Sequence, residues 1–199
     1  MKPILETIDT RFGTASKHAF SRGNTLPYTG VPFGMNYFVP QTSDQEGSWF
    51  FDPHLPIFQG VRLTHQPSPW IGDYSWLLLT PVTGEISGDT LFHRQSSYNL
   101  DRAIFNPHFL KIFSERYQIE TQLTPTCYGA SIQLRQIQGK KLSLYLHAAD
   151  DLSLEQVDER TVSLGQSGLT ETNKSPLVMF TALAFSTDIL SINQVGQDW

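Results

Sequence analysis

The amino-acid sequence predicts an all-β protein, a large antiparallel β-sandwich formed as a single domain by residues 1–199. Along the second half of the chain, apolar and polar residues alternate in short runs, as they do in half-buried strands. Seven prolines and six glycines between residues 20 and 75 exclude long helices from the first half. No linker, repeat or low-complexity tract divides the chain, so one domain is expected.

The strand predictions follow this alternation between turn residues. Residues 152–157 and 160–165 are predicted to form a hairpin across Asp158 and Glu159. Residues 177–185 are continuously apolar, which fits a strand or a buried helix, and their β-branched residues favour a strand. The remaining predicted strands are 34–39, 48–51, 58–64, 74–80, 109–114, 117–124, 127–135 and 142–146. Residues 191–199 lack an obvious closing element, which predicts that the natural chain continues.

Composition excludes several classes of function. The net charge is −5 and the pI about 5.6, which argues against a nucleic-acid-binding protein. The single cysteine, Cys127, excludes an internal disulfide framework and a cysteine-built zinc site. The N-terminus has no apolar signal segment and no stretch approaches 18 apolar residues, so a cytoplasmic protein without membrane contact is expected. Dinucleotide, P-loop, zinc-protease and serine-hydrolase motifs are all absent.

One loop combines the side chains that bind sugars. Between two predicted strands, residues 64–74 contain His65, Trp70 and Asp73, with two prolines that restrict the backbone. An indole ring can cover the apolar C–H face of a pyranose, while imidazole and carboxylate groups bind its hydroxyls. His65, Trp70 and Asp73 are therefore predicted to bind substrate. The alternative is structural: Trp70 packs beneath the loop, His65 binds backbone and Asp73 caps a turn.

Three ordered stretches resemble the N-terminal domain of glycoside hydrolase family 92, the calcium-dependent exo-α-mannosidases. Residues 23–35 resemble the family pattern G-H-T-x-P-G-A-x-x-P-F-G-M. Residues 60–74, continuing to 80–84, resemble G-F-S-H-T-H-L-S-G-T-G-x-x-D-Y-G-D followed by P-T-x-G. Residues 117–126 resemble the run toward E-L-T-x-T. The resemblance spans residues 7–146.

The sequence departs from these patterns in the loops expected to face substrate. Asn24 and Leu63 stand where the family usually has His, so only His65 of the S-H-T-H pair remains. Residues 67–70 replace a small, glycine-containing segment, and Trp76 stands where Asp is common. These departures leave the fold prediction unchanged and the preferred sugar linkage open.

The resemblance implies a supersandwich-like domain that docks on an (α/α)6 catalytic barrel absent from this chain. Mannose-containing oligosaccharides would be the substrate, and the calcium ligands and the acid–base pair would lie chiefly in the barrel. An inverting mechanism requires two carboxyl groups about 6.5–9.5 Å apart, and no such pair can be assigned here. No catalytic or metal-binding residue is therefore predicted in this chain, and the isolated chain is expected to be inactive.

Two other functions stay open at this stage. The chain could be a stand-alone carbohydrate-binding or interaction sandwich without an enzymatic partner. A small β enzyme with its own site is disfavoured, because no paired carboxylates accompany any motif. The continuation of the reading frame beyond Trp199 would distinguish the first alternative from the N-terminal domain of a mannosidase.

Overall fold

The computed structural model describes residues 3–15, 25–44, 49–66, 76–84, 86, 88–148, 151–169 and 176–199. Within these ranges the chain forms thirteen strands and one short α-helix, which confirms the all-β prediction. The α-helix, α1, is Leu91–Arg94. The strands are β1 Tyr37–Gln41, β2 Ile57–Phe58, β3 Gly60–Thr64, β4 Leu77–Thr83, β5 Ser96–Ser97, β6 Ile104–Asn106, β7 Phe109–Ser114, β8 Ile119–Pro125, β9 Ala130–Gln136, β10 Leu142–Ala148, β11 Leu152–Gln156, β12 Thr161–Leu169 and β13 Pro176–Ala184.

The described strands form four antiparallel sheets. Two of them have four strands each, in the orders β1-β3-β4-β10 and β6-β7-β8-β9. A three-stranded sheet has the order β11-β12-β13, and β2 pairs only with β5. No described helix is long and apolar enough to cross a membrane.

The sheet β1-β3-β4-β10, called the central sheet here, contributes to the two larger apolar clusters. Its Phe38 and Val61 pack with Leu110 and Leu123 of the β6-β7-β8-β9 sheet. Farther along the strands, its leucines from β4 and β10 pack on Leu164 of the three-stranded sheet. The central sheet is therefore the layer on which the other two large sheets are assembled, consistent with a sandwich.

The second face of the central sheet is also buried, and it carries polar side chains among apolar ones such as Val39 and Val82. The register places Arg62 opposite Leu78, and Leu78 opposite His147, so these three side chains share one face. Thr80 and Gln41 are buried as well. The Thr80 hydroxyl donates to the Gln59 carbonyl at 2.6 Å, and the Gln41 amide donates to the Gln59 side chain at 3.0 Å.

Several strand predictions need correction. The predicted strand 58–64 is two strands, because Gly60 has a φ of 150° that breaks the extended run after Phe58. Residues 49–51 form no strand: the Phe50 carbonyl instead accepts hydrogen bonds from the loop amides of Thr42 and Ser43. The alternation did not predict β5, β6 or α1, which have only two to four residues each. The hairpin of β11 and β12 and the strand β13 are confirmed.

The expectation that residues 191–199 lack a closing element is wrong. Val195 and Asp198 form a β-bridge, and the backbone of Trp199 exchanges two hydrogen bonds with Leu146 of β10, at 2.8 and 3.1 Å. The Trp199 indole also donates to the Leu152 carbonyl at 3.2 Å. These contacts add the segment to the edge of the central sheet, and the amino-acid pattern of so short a segment does not reveal them.

The buried Tyr98 is expected to make the stability of the fold depend on pH in the alkaline range. Burial raises its pKa to about 12, opposed in part by Arg11. Its hydroxyl has no hydrogen-bond partner among the described residues. Because the folded pKa exceeds the ordinary value of 10.0, the stability that neutral Tyr98 contributes is complete below pH 10 and is lost as the pH rises toward 12. Tyr98→Phe is expected to remove that part of the alkaline loss, measured as urea midpoints across this range. Equal alkaline losses in both proteins would contradict the assignment.

Candidate functional site

Segments from the first two family-like stretches and the turn that ends the third meet at one end of the central sheet. The hydroxyl of Tyr28 donates to the carbonyl of Gln66 at 2.8 Å, which joins the first stretch to the second. The amide of Met35 donates to the carbonyl of Cys127 at 2.8 Å, which joins the first stretch to the residue after the third. We call this region the motif end, defined by residues 28–36, 64–66 and 126–129.

Strand pairing explains why these segments meet. Tyr37, the first residue of β1, lies opposite Thr64, the last residue of β3. The turn before β1 and the connection after β3 therefore leave the central sheet at the same end. The β8–β9 turn closes with a 2.7 Å bond from the Thr126 amide to the Gly129 carbonyl. Residues more than 90 positions apart in the sequence become neighbours here, as the bond from Asn36 to the Tyr128 carbonyl shows.

The predicted substrate-binding residues belong to the connection between β3 and β4. His65 is half-buried and directly follows β3. Trp70 and Asp73 lie outside the described residues, so the predicted approach of the three side chains to one another stays a prediction. The two ends of the connection are well anchored: Gln66 is buried, and Trp76 packs against Arg62 on the second face of the central sheet.

Arg62 is the side chain that holds Trp76 in place. Its guanidinium lies 3.8 Å from the ring centroid of Phe50 and 3.9 Å from that of Trp76, so it is enclosed between two aromatic faces. Trp76 in turn lies 5.7 Å from the imidazole of His147. A cation between two rings is a favourable arrangement when water is excluded. The residue that replaces the family's usual Asp therefore has a structural role at the end of the connection.

A buried ionic cluster lies farther along the same face. Asp198 accepts hydrogen bonds from both Arg94 and His147, and Arg94 is fully buried. The Arg94 guanidinium also lies 4.4 Å from the Tyr145 ring centroid. Burial by itself would raise the pKa of Asp198, but the hydrogen bonds from His147 and Arg94 outweigh it and hold that pKa below the ordinary value. Asp198 is therefore an ionised structural group.

A cavity of about 530 Å³ beside the N-terminal segment is lined by the carboxylates of Glu6 and Asp9. Asp9 is occupied by Arg11, which donates to both of its oxygens and lowers its pKa. A general acid would need a raised pKa instead. Within the described ranges, no group of three or more His, Cys, Asp or Glu side chains could hold a metal ion.

Sequence reasoning did not find the ionic cluster or the role of Trp76. Arg62 offered one signal, because a charged residue in an otherwise buried strand requires a partner. The contact between Arg94 and Asp198 joins residues 104 positions apart, and no local pattern encodes it. Phe33, which lies in the first family-like stretch, is fully exposed, and the sequence pattern did not predict this exposure.

Solved structures with a similar fold include mannosidases of family GH92. The inverting mannosidase BT2199 of family GH92 from Bacteroides thetaiotaomicron VPI-5482 matches 95% of this chain at 24% identity, with a TM-score of 0.72. The GH92 α-mannosidase BT3965 from the same species matches 88% at 15% identity, also with a TM-score of 0.72. At these identities the likeness shows the shared fold. The chain spans 28% of the length of each of these two proteins. Among curated proteins no sequence match was found.

A family model extends this result to the sequence. The model of the glycosyl hydrolase family 92 N-terminal domain matches residues 7–197. The chain therefore belongs to this family, as its N-terminal β-sandwich domain. The resemblance found in the three sequence stretches is confirmed.

Proposed function

We propose that this domain works within a polypeptide that hydrolyses terminal α-mannosidic bonds, where it docks on a catalytic domain and lines part of the sugar site. The observation that carries the proposal is that the first two family-like stretches are joined at the motif end by the bond from Tyr28 to Gln66, and that the turn after the third is joined to the first by the bond from Met35 to Cys127. Tyr28 of the first stretch therefore lies beside Gln66, next to His65 and at the start of the connection that contains Trp70 and Asp73.

Each of these three residues has a proposed role in binding a mannoside. The Trp70 ring covers the apolar face of the sugar, and His65 and Asp73 bind its hydroxyl groups. Pro67 and Pro69 restrict the connection, which lowers the entropy lost on binding. The general acid, the general base and the calcium ligands belong to the catalytic domain. Calcium prefers six to eight oxygen ligands, a set that this proposal assigns to the catalytic domain.

Trp70→Ala in the complete polypeptide tests this assignment. Losing one ring contact to the sugar is worth about 1 kcal/mol, so kcat/KM toward an α-linked mannobiose is expected to fall at least ~5-fold. The thermal midpoint is expected to stay near that of the wild type, because the ring belongs to a site and not to the core. Phe92→Ala, which removes an exposed ring on α1, serves as the matched control and is expected to leave turnover unchanged.

The opposite result would identify Trp70 as a core residue. In that case the substitution would cost about 3–5 kcal/mol of stability. A destabilised variant whose remaining folded fraction has normal kcat/KM would overturn the site assignment. The family membership of the chain would still hold.

A further inference from the structure

The motif end exposes three large apolar side chains. Phe33 is 100% exposed, Tyr128 81% and Met35 63%. The turns that carry them are joined by the hydrogen bond from Met35 to Cys127 and by the bond from the Asn36 amide to the Tyr128 carbonyl at 2.7 Å. Residues 30–36 and 126–129 contain no charged side chain. Fixed apolar groups of this kind, without charge, are typical of contact sites.

Phe33 is also held in an unfavourable backbone conformation. Its φ is 59°, in the left-handed region that bulky residues avoid. The turn is fixed around it by the bond from the Gly34 amide to the Val31 carbonyl at 3.0 Å and from the Gly30 amide to the Pro107 carbonyl at 2.8 Å. In the isolated domain, a strained and exposed phenylalanine contributes nothing to stability. Such strain is concentrated at functional contacts.

The chemistry of these three side chains indicates a protein partner. A sugar site needs several hydrogen-bonding groups, whereas phenylalanine and methionine offer none of use to a hydroxyl. Aromatic residues and methionine are enriched at the cores of protein interfaces. The chain spans 28% of the length of BT2199, so in a polypeptide of that kind most of the mass lies outside this domain.

We propose that Phe33, Met35 and Tyr128 anchor this domain on the catalytic domain of the same polypeptide. The inference rests on the proposed function and names the surface that docks. All three residues lie within the part of the chain that matches the family, at the end from which the sugar-binding connection leaves. Docking there brings that connection to the boundary between the two domains.

Cys127 provides a direct probe of whether this surface is covered. It is the single cysteine of residues 1–199, it is exposed, and its carbonyl binds Met35. Iodoacetamide labelling of Cys127, followed by mass spectrometry of its peptide, is compared between residues 1–199 and the complete polypeptide. Since thiol labelling follows exposure, the rate is expected to be at least ~10-fold lower in the complete polypeptide.

Substitution of Phe33 tests its part in the contact. Phe33→Ala in the complete polypeptide is expected to raise the Cys127 labelling rate toward that of residues 1–199. Phe92→Ala is the matched control, because Phe92 is 67% exposed and lies near the other end of β8, and it is expected to leave Cys127 protected. In residues 1–199, Phe33→Asn is expected to keep or raise the thermal midpoint, because asparagine tolerates a positive φ.

The outcomes separate this inference from the proposed function. A polypeptide that releases mannose while Cys127 reacts as fast as in residues 1–199 would overturn the docking surface. Protection of Cys127 that rises with the concentration of residues 1–199 alone would also overturn it, since a second copy would then cover the face. A polypeptide that protects Cys127 but releases no mannose would leave the docking surface standing and reject the proposed activity.

Discussion

Asp198→Ala is expected to lower the free energy of unfolding by about 3–5 kcal/mol, because it leaves a fully buried guanidinium without its carboxylate. Arg94 and His147 both donate to Asp198, and Asp198 is itself 4% exposed. The substitution also releases the segment that Trp199 attaches to β10. Urea unfolding followed by tryptophan fluorescence would measure the difference.

Asp188→Ala is the matched control. Asp188 forms a 2.6 Å ion pair with Arg160, but the two side chains are 58% and 56% exposed. Water and salt screen such a pair, so the expected cost is below about 1 kcal/mol. Equal costs for Asp198→Ala and Asp188→Ala would show that the buried cluster does not stabilise the fold in the way described.

The pKa of Asp198 adds a dependence on pH. Because hydrogen bonds from His147 and Arg94 hold the folded pKa below the ordinary value of 3.8, the stability from ionised Asp198 is present above that value. It is lost as the pH falls through the lower folded pKa. The stability difference between wild type and Asp198→Asn is therefore expected to shrink on the acid side of pH 3.8. A difference that grows there would contradict the assignment.

Gly60→Ala is expected to destabilise the fold by about 2–5 kcal/mol, through backbone strain and steric overlap together. Gly60 has a φ of 150°, and a Cβ there would lie 2.5 Å from the Leu79 carbonyl oxygen and 2.8 Å from the Thr80 hydroxyl. The first of these atoms is backbone of the neighbouring strand β4 and cannot move without breaking the pairing of β3. Urea unfolding is again the measurement.

Gly139→Ala separates strain from overlap. Gly139 has a φ of 63°, but a Cβ there would meet no atom within 4 Å. Gly139→Ala therefore adds only conformational strain, which is expected to lower the free energy of unfolding by about 1–2 kcal/mol. A loss at Gly60 no larger than the loss at Gly139 would mean that the close approach of β3 and β4 is not what requires glycine at position 60.

The strands of the second half could be predicted because their signal is local. In β8 and β12 alternate residues are buried, and the pleat alone sets this period. The division between β2 and β3 could not be predicted in the same way. It depends on a carbonyl of Leu79 that approaches Gly60 from another strand, and that carbonyl lies 19 positions later in the chain.

The sugar-binding role of the connection stays a prediction from residue types, whereas the surroundings of its described ends required the structure. Residue types alone indicated that His65, Trp70 and Asp73 suit a sugar, and the family-like stretches indicated where to look. That those stretches meet depends on the pairing of Tyr37 with Thr64, which a sequence pattern does not specify. The roles of Trp76 and Asp198 are also non-local, because each is defined by side chains from other strands or from α1.

Mannose release from an α-linked mannobiose tests the central claim most directly. The assay compares residues 1–199 with the complete polypeptide under the same conditions, with and without calcium. Release by the complete polypeptide is expected, and none above a buffer blank by residues 1–199, because the inverting mechanism needs two free carboxyl groups and Asp9 in the N-terminal cavity is paired with Arg11. Mannose release by residues 1–199 that disappears when one of their own carboxylates is substituted would contradict the claim that this domain depends on a separate catalytic domain.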